Sequence, residues 1–204
     1  MLKKAISGVM AGILISIGGS VYLACADKVI GAVFFSVALL CICFKGYSLF
    51  TGKVGFLPEQ CDKETLSVLF LGLLGNAVGT IACGYLLRFA IPNIGAAAEV
   101  LCQAKLEGQA LWQTLVRALF CGILMYLAVS IYRDKKTPLA IVFCIPAFIL
   151  SGFEHSIADM YYFAASGIVS FRAFLFLMIV VAGNAAGGVL LPLLAKIGRR
   201  GEAA

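Results

Sequence analysis

The ionisable residues best suited to chemistry lie together in the last third of the chain, in the run 151–160. This run, Ser-Gly-Phe-Glu-His-Ser-Ile-Ala-Asp-Met, contains Glu154, Asp159 and the single histidine, His155. A charged side chain at bilayer depth costs roughly 2.5 to 3.5 kcal/mol or more, so such residues face a cavity or a partner and mark transport pathways. A lone histidine is more often a satisfied core residue. Inside an apolar segment and beside an apparent helix break, however, His155 is the first candidate for a role in transport.

The composition indicates an integral membrane protein. Of the 204 residues, 62% are hydrophobic and 13% are charged, whereas soluble domains average about 25% charged residues. A helix needs about 20 apolar residues to cross the bilayer, and we predict six, over residues 5–24, 29–50, 66–90, 112–132, 138–165 and 171–195. We therefore predict one transmembrane channel domain over 1–204, without a soluble catalytic domain or a nucleic-acid-binding module.

The formal charge of +6 comes from basic residues whose positions fit a membrane topology. The basic residues lie mainly at the termini and in the second and fourth connections: Lys3, Lys4, Lys53, Lys63, Arg133, Lys135, Lys136, Lys196, Arg199 and Arg200. If six helices alternate in direction, these segments share one side, which the positive-inside rule makes the cytoplasm. We predict a multi-pass protein of the cell (inner) membrane with both termini cytoplasmic.

The first apolar stretch has two interpretations. It follows Lys3 and Lys4 and ends in Ala-Cys-Ala at 24–26, which also fits a cleaved secretory signal peptide. It is longer than the apolar core of a typical signal peptide, and Gly8 and Gly12 have the small-xxx-small spacing that lets helices pack closely in lipid. We favour a retained first helix.

The eight cysteines give no sign of a redox or metal site. No CxxC pair occurs, and most of the cysteines lie in apolar spans. Cys41 and Cys43 would project about 200° apart on a helix and cannot bind one metal ion together. We interpret the cysteines as small hydrophobic residues and predict neither metal nor cofactor.

An internal repeat divides the chain into two halves. The sequence Leu-Gly-Asn-Ala-Val-Gly at 74–79 recurs as Ala-Gly-Asn-Ala-Ala-Gly at 182–187. Because each half contains three predicted spans, the second half enters from the opposite face, which gives inverted repeats of about 1–100 and about 105–204. A glycine-rich helix is more often a packing face than a ligand site, so we assign Asn76 and Asn184 to helix packing.

The second and fifth predicted spans are poor continuous helices. The second contains Lys-Gly-Tyr-Ser at 45–48 and Thr-Gly at 51–52, and the fifth contains Pro146 and Ser-Gly at 151–152. Interrupted helices at matching positions of inverted halves mark a site at the membrane midplane. Half-helix N-termini also offer partial positive charge, so the sequence predicts an anion pathway between the halves.

With these features, the chain resembles the formate/nitrite transporter family, whose members are pentamers of aquaporin-like six-helix protomers. Residues 152–158, Gly-Phe-Glu-His-Ser-Ile-Ala, are similar to the fifth-helix signature of that family, and 49–52, Leu-Phe-Thr-Gly, to its second-helix loop motif. The resemblance covers nearly the whole chain. It implies an all-α fold of six transmembrane helices, arranged as two inverted three-helix repeats with broken second and fifth helices, and a homopentamer in membrane lipid.

The resemblance also implies roles for individual residues. His155 is similar to the central histidine of the family, and Thr51 to its hydrogen-bonding partner across the pore. Lys105 resembles the vestibule lysine that draws anions in, although it also fits an ordinary loop lysine. The hydrophobic constrictions would be lined by Phe35, Leu39, Leu49 and Phe148, for which ordinary core packing is the alternative. Supporting positions are Glu154, Asn76 and Asn184.

Three positions depart from the family pattern. Ser48 stands where the family usually has an acidic residue, Asp159 where it usually has Asn, and Gly122 at the place of a fourth-helix Asn. We therefore expect selectivity and gating to differ from those of the formate branch.

We predict a channel or transporter, not an enzyme, for small monovalent anions of weak acids of the formate, nitrite or hydrosulfide class. An unpaired charge is costly to desolvate, whereas the neutral acid crosses an apolar constriction. A proton from solvent or through His155 would let the acid pass Phe148 and Leu39. The alternatives are an aquaporin-like channel for neutral small solutes, which Ser48 makes conceivable, and a membrane oxidoreductase that uses the cysteines with a quinone.

Overall fold

A computed structural model describes residues 1–201 of the chain as nine α-helices and one 3₁₀ turn, Val54–Phe56. The helices are α1 (Leu2–Ala24), α2 (Lys28–Lys45), α3 (Phe50–Lys53), α4 (Lys63–Ala90), α5 (Pro92–Glu107), α6 (Leu111–Lys135), α7 (Leu139–Leu150), α8 (Ser156–Ser166) and α9 (Phe171–Gly201). Five of them, α1, α2, α4, α6 and α9, are long and apolar enough to cross a membrane. The prediction of an all-α membrane fold is confirmed. The ends of the predicted domain and second repeat, 202–204, lie outside the described residues.

Two predicted spans differ from the described helices, and one described helix was not predicted. The fifth predicted span, 138–165, is divided between α7 and α8, and α2 ends at Lys45 instead of continuing to residue 50. Helix α5 was not predicted, because its mixed composition includes Glu99, Lys105 and Glu107. Pro92 at its first turn is well suited to begin a helix there, since its missing N–H needs no partner.

The same local geometry ends α2 and α7. Gly46 and Gly152 both have φ of +69°, in the left-handed region that favours glycine. Beyond each glycine the chain turns back, and the N–H of Tyr47 donates to the carbonyl of Ile42 as that of Phe153 donates to the carbonyl of Phe148. These bonds satisfy carbonyl groups at the helix ends. Both breaks are therefore capped turns.

Asn76 of α4 fixes the segment that follows the first break. Its side-chain amide donates to the carbonyls of Gly8 at 2.8 Å and Ser48 at 2.9 Å, and its Oδ1 accepts from the N–H of Phe50 at 2.9 Å. Phe50 is the first residue of α3, so its N–H has no partner within that helix. Asn76 supplies the partner that an interrupted helix needs away from water.

Asn184 of α9 does the same for the second break. Its side-chain amide donates to the carbonyls of Ala118 and Glu154, both at 2.8 Å, and its Oδ1 accepts from the N–H of Ser156 at 2.8 Å. Ser156 is the first residue of α8. The two asparagines thus pack between helices, as we assigned from the sequence, and also hold the interrupted backbone.

Two pairs of long helices approach closely through glycine. A Cβ atom added at Gly12 of α1 would lie 2.5 Å from the carbonyl oxygen of Asn76 in α4. Gly122 of α6 lies in the same way against the carbonyl oxygen of Asn184 in α9. A larger residue at Gly122 would therefore force α6 and α9 apart.

The surface of the isolated protomer is apolar where a soluble protein would be polar. Large exposed side chains include Phe44, Phe70, Phe89, Phe143 and Val169, each more than 60% exposed. The ionisable side chains Glu154, His155 and Asp159 are buried. This distribution suits a protein surrounded by lipid or by copies of itself, with its polar groups inside.

Candidate functional site

Two cavities enter the protomer at opposite ends of its long helices. One has a volume of about 240 Å³ and is lined by Lys105, Arg117 and His155; we call it the Lys105 cavity. The other has a volume of about 350 Å³ and is lined by Lys53, Val129, Arg133 and Lys136, among others; we call it the Lys53 cavity. Arg117 and Val129 are twelve positions apart along α6, which is about 18 Å at 1.5 Å per residue.

The four predicted constriction residues lie where the cavities approach each other. Phe35 and Phe148 line the Lys105 cavity, and Leu39 and Leu49 line the Lys53 cavity. Phe35 and Leu39 are one turn apart on α2, and all four side chains are at most 3% exposed. An apolar layer therefore separates the cavities; that it forms the constrictions of a pore stays a prediction.

His155 and Thr51 are joined within this layer. Nε2 of His155 and Oγ1 of Thr51 lie 2.8 Å apart, and both residues are buried. Thr51 comes from α3, whereas His155 is the N-cap residue of α8, so the two half-helices meet at this pair. The ring of Phe148 stacks on the imidazole with centroids 5.6 Å apart.

The hydrogen bonds of His155 determine its tautomer. Nδ1 accepts the N–H of Ala158 at 3.2 Å and caps α8, so it carries no hydrogen. Nε2 then carries the hydrogen of the neutral ring and donates it to Oγ1 of Thr51. The hydroxyl hydrogen of Thr51 is left to donate elsewhere. The pair thus offers a hydrogen-bond donor inside an apolar layer.

Lys105 lies in a buried ionic cluster. Its ammonium contacts Oε2 of Glu154 and lies 3.1 Å from Oδ1 of Asp159. Gln109 donates to Oε1 of Glu154 at 3.0 Å. Both carboxylate side chains are 2% exposed. Lys105 does line the cavity, as the resemblance implies, but its charge is directed at two carboxylates.

Two acceptor atoms of this cluster have no partner. Oδ2 of Asp159 and Oε1 of Gln109 are buried, and neither has a hydrogen-bond partner within the part of the chain that the structure describes. Both residues line the Lys105 cavity. Because buried polar atoms are nearly always paired, both atoms are available for a further hydrogen bond.

The structure adds two residues that we did not predict. Gln109 follows the end of α5, and no sequence pattern singles it out. Arg117 lines the Lys105 cavity and makes no ion pair with any described residue. The sequence does mark Arg117 as a candidate for function, because it is a single charged residue in the otherwise apolar span 112–132.

The described residues include no group of three or more His, Cys, Asp or Glu side chains that could hold a metal ion. The cysteines that are described all have free thiols, and they range from buried Cys102 and Cys121 to exposed Cys61. The site therefore consists of hydrogen-bonding and charged side chains around a cavity.

Solved structures share this architecture. A pentameric formate channel with formate bound superposes with a TM-score of 0.77 at 23% identity, over 96% of both chains. An FNT family ion channel superposes with a TM-score of 0.74 at 24% identity, over 92% of this chain and 84% of that one. At these identities the likeness shows a common fold.

Sequence comparisons extend the likeness. The chain is 32% identical over 155 residues to the uncharacterized transporter YwcJ of Bacillus subtilis, over 68% of this chain and 59% of that protein. It is 34% identical over 151 residues to the nitrite transporter NirC of Salmonella typhimurium, over 68% of this chain and 55% of NirC. The match thus spans a little over half the length of these relatives. Residues 1–197 match the family model described as formate/nitrite transporter, and the chain belongs to that family.

Proposed function

We propose that the protein is a channel or transporter that passes small monovalent anions of weak acids, of the formate, nitrite or hydrosulfide class, with a proton involved at His155. The observation that carries the proposal is the Thr51–His155 hydrogen bond in the apolar layer between the two cavities. A polar pair at such a depth serves a solute that must lose its water there. The names of NirC and of the formate channel support the choice of substrate class.

The apolar layer sets the energetic problem. A bare anion between Phe35, Leu39, Leu49 and Phe148 loses its hydration without gaining a counter-charge, at a cost of many kcal/mol, whereas the neutral acid loses far less. A formate, nitrite or hydrosulfide ion that gains a proton at the edge of this layer crosses as a small neutral molecule. Transport by this route depends on pH.

His155 acts in this proposal as a neutral ring. A proton added at Nδ1 would remove the acceptor that caps α8 and would place positive charge at a helix N-terminus, where it is unfavourable. The neutral ring holds Oγ1 of Thr51 by donation from Nε2, and the Thr51 hydroxyl then donates to the solute. The protonation of the anion takes place beside this pair.

We further propose that the two halves of the chain are inverted repeats that form an aquaporin-like protomer. The support is the matched role of Asn76 and Asn184, each of which binds the carbonyl before a half-helix and the N–H at its start. The capped turns at Gly46 and Gly152 correspond in the same way.

The assembly and orientation are part of the proposal. We propose a homopentamer in membrane lipid, since the formate channel with this fold is pentameric. We place it in the cell (inner) membrane with both termini cytoplasmic, because Lys53, Arg133 and Lys136, which line the Lys53 cavity, belong to the basic connections. The Lys105 cavity then opens to the outside.

Flux into proteoliposomes tests the function. Formate, nitrite and hydrosulfide are offered separately over a range of external pH, to the unaltered protein and to His155→Asn. We expect at least one anion to enter at a rate that depends on pH and that falls by about tenfold or more in His155→Asn, because the held hydroxyl of Thr51 is lost.

Two other results would overturn the proposal. Equal flux and an equal pH profile in His155→Asn would remove the histidine from the mechanism. If all three anions stay outside while water or glycerol enters, the protein is a channel for neutral solutes. Each purified variant is compared with the unaltered protein by size-exclusion chromatography before reconstitution, so that a misfolded variant is not counted as an inactive one.

A further inference from the structure

The ionic cluster in the Lys105 cavity holds more negative than positive charge. Lys105 is its single cation, and Glu154 and Asp159 are its two carboxyl groups. The other titratable or charged groups around Asp159 are Tyr22, Cys102, Arg117, Cys121, His155 and Tyr162. Arg117 is exposed in the protomer and pairs with neither carboxyl group among the described residues, so its charge is not counted in the cluster.

An uncompensated buried carboxylate takes up a proton instead of staying charged, because desolvation of the ion costs far more than that of the acid. One ammonium balances one carboxylate. The second carboxyl group, with both residues 2% exposed or less, is therefore held as the neutral acid. The cluster is electrically neutral when it carries this extra proton.

The hydrogen bonds favour one oxygen as the carrier of this proton. Of the four carboxyl oxygens, Oε1 of Glu154 accepts from Gln109, whereas Oε2 of Glu154 and Oδ1 of Asp159 contact Lys105. Oδ2 of Asp159 is buried without a partner. Oδ2 is thus the one carboxyl oxygen of the cluster that no described donor contacts, and Asp159 lines the cavity.

We propose that Asp159 is the proton donor of this pore, an inference that rests on the proposed function. In the resting state Oδ2 carries a proton, and a weak-acid anion that enters the Lys105 cavity accepts it. The O–H bond of Asp159 breaks and an O–H or S–H bond forms on the solute, which leaves the Asp159 carboxylate and the neutral acid. A proton from the solution outside the cavity, carried by water in the cavity, then returns to Oδ2.

This assignment divides the work between Asp159 and His155. Both ring nitrogens of His155 are engaged, one with Ala158 and one with Thr51, so the ring has no proton that it can release without becoming an anion. Lys105 faces Oδ1 at 3.1 Å and stabilises the carboxylate that forms after transfer. Asp159 supplies the proton, and the Thr51–His155 pair receives the neutral acid.

Infrared spectroscopy tests where the proton resides. At neutral pH we expect the unaltered protein in lipid to show the carbonyl stretch of a protonated buried carboxylic acid, and Asp159→Asn to lack it. Glu154→Gln also removes the band, because either replacement leaves Lys105 with a single carboxylate. Carbon-13 labelling of the carboxyl groups therefore makes the assignment: labelled aspartate should shift the band, and labelled glutamate should leave it in place. Glu99→Gln, on the exposed side of α5, is the matched control and leaves the band unchanged. A band that persists in Asp159→Asn, or that shifts with labelled glutamate, overturns the assignment.

Formate flux tests the delivery of the proton. Without a local donor, entry depends on neutral acid from bulk water, so the rate in Asp159→Asn falls about tenfold for each unit of pH above the pKa of formic acid. The unaltered protein and Asp159→Glu, which keeps an acid, follow a shallower profile. Identical profiles in the unaltered protein and Asp159→Asn overturn the proposal.

The two measurements separate this inference from the function on which it rests. If Asp159→Asn does not fold, Asp159→Glu decides, since loss of both the band and the shallow profile in that variant contradicts the proposal. If the unaltered protein passes neither formate, nitrite nor hydrosulfide, the proposed function fails and proton delivery fails with it. The infrared band still reports whether Asp159 holds a proton.

Discussion

The hydroxyl group of Thr51 has a hydrogen that it can donate within the apolar layer. Its oxygen accepts from Nε2 of His155 at 2.8 Å, and this bond turns the hydroxyl hydrogen away from the ring. Both side chains are buried in an apolar layer, where one oriented donor has a large effect on a polar solute because no water competes for the bond.

Replacement of Thr51 by valine tests this donor. Thr51→Val keeps the shape of the side chain but leaves Nε2–H of His155 and the solute without a partner, so we expect anion flux to fall about tenfold. Thr51→Ser retains the hydroxyl and should keep most of the flux. The measurement is the initial rate of anion entry into proteoliposomes at fixed pH.

Thr80 provides the control for this substitution. It is a buried threonine of α4 that donates to the carbonyl of Asn76 and lines neither cavity. Thr80→Val therefore changes a buried hydroxyl of the same type without changing the site. Equal losses of flux in Thr51→Val and Thr80→Val would mean that the loss reflects packing, and the proposed donor role would be wrong.

Arg117 is the cation of the Lys105 cavity that makes no ion pair among the described residues. Its Nη1 lies 3.9 Å from the position of a Cβ on Gly152, at the break between α7 and α8. We expect Arg117→Gln to raise the anion concentration for half-maximal flux about two- to fivefold at low salt. The maximal rate should change little, because Arg117 does not touch the apolar layer.

Salt separates this effect from a structural one. The difference between the unaltered protein and Arg117→Gln should shrink as ionic strength rises, since salt screens the attraction of an exposed charge. Arg117→Lys keeps the charge and serves as the matched variant. A difference that is independent of salt, or that Arg117→Lys shares, would contradict electrostatic recruitment.

The individual site residues differ in how far the sequence could predict them. His155 and Thr51 lie in specific motifs, so their meeting was predicted. The contacts of Lys105 with Glu154 and Asp159 could not be predicted. They depend on how α5, a helix that was not predicted, packs beside the second break. Arg117 was missed although it stands alone in an apolar span.

Helix breaks are the elements that build the site, and asparagine side chains hold them. Asn76 and Asn184 each make three buried hydrogen bonds to backbone groups. We expect Asn76→Ala and Asn184→Ala each to lower the free energy of unfolding by about 2 to 5 kcal/mol, because several buried backbone groups lose their partners. Thermal unfolding in detergent measures the effect.

Asn93 is the comparison for this prediction, because it is exposed on α5. Asn93→Ala should change stability by less than about 0.5 kcal/mol. If the two halves are true repeats, the losses in Asn76→Ala and Asn184→Ala should also resemble each other. A large loss at one asparagine and none at the other would argue against equivalent halves.

The breaks themselves were predictable, because glycine at 46 and 152 and proline at 146 disfavour a continuous helix. The geometry of each turn was less predictable than its position. The hydrogen bonds of Tyr47 and Phe153 that complete the caps are backbone bonds that any residue except proline could make. Helix α5 was not predicted, because it is too polar to be recognised as a membrane span. It packs against α8.

At the scale of the whole molecule, orientation decides which solution each cavity meets. The basic connections predict that the Lys53 cavity faces the cytoplasm and the Lys105 cavity the outside. Asp159 would then be reprotonated from the outer solution, and inward flux would respond to external pH. The sidedness of the chain is therefore a test of the mechanism as well as of the topology.

Cys61 reports this orientation directly. It lies in the second connection and is exposed, whereas the other seven cysteines are partly or fully buried. A membrane-impermeant maleimide should label it in inside-out vesicles and leave it unlabelled in right-side-out vesicles or cells. Cys61→Ser should abolish that labelling. In the Cys61→Ser background, Glu107→Cys, at the exposed end of α5 next to the Lys105 cavity, should show the opposite pattern. Labelling of Cys61 from the outside would mean that the protein has the opposite orientation in the membrane. Asp159 would then receive its proton from the cytoplasm.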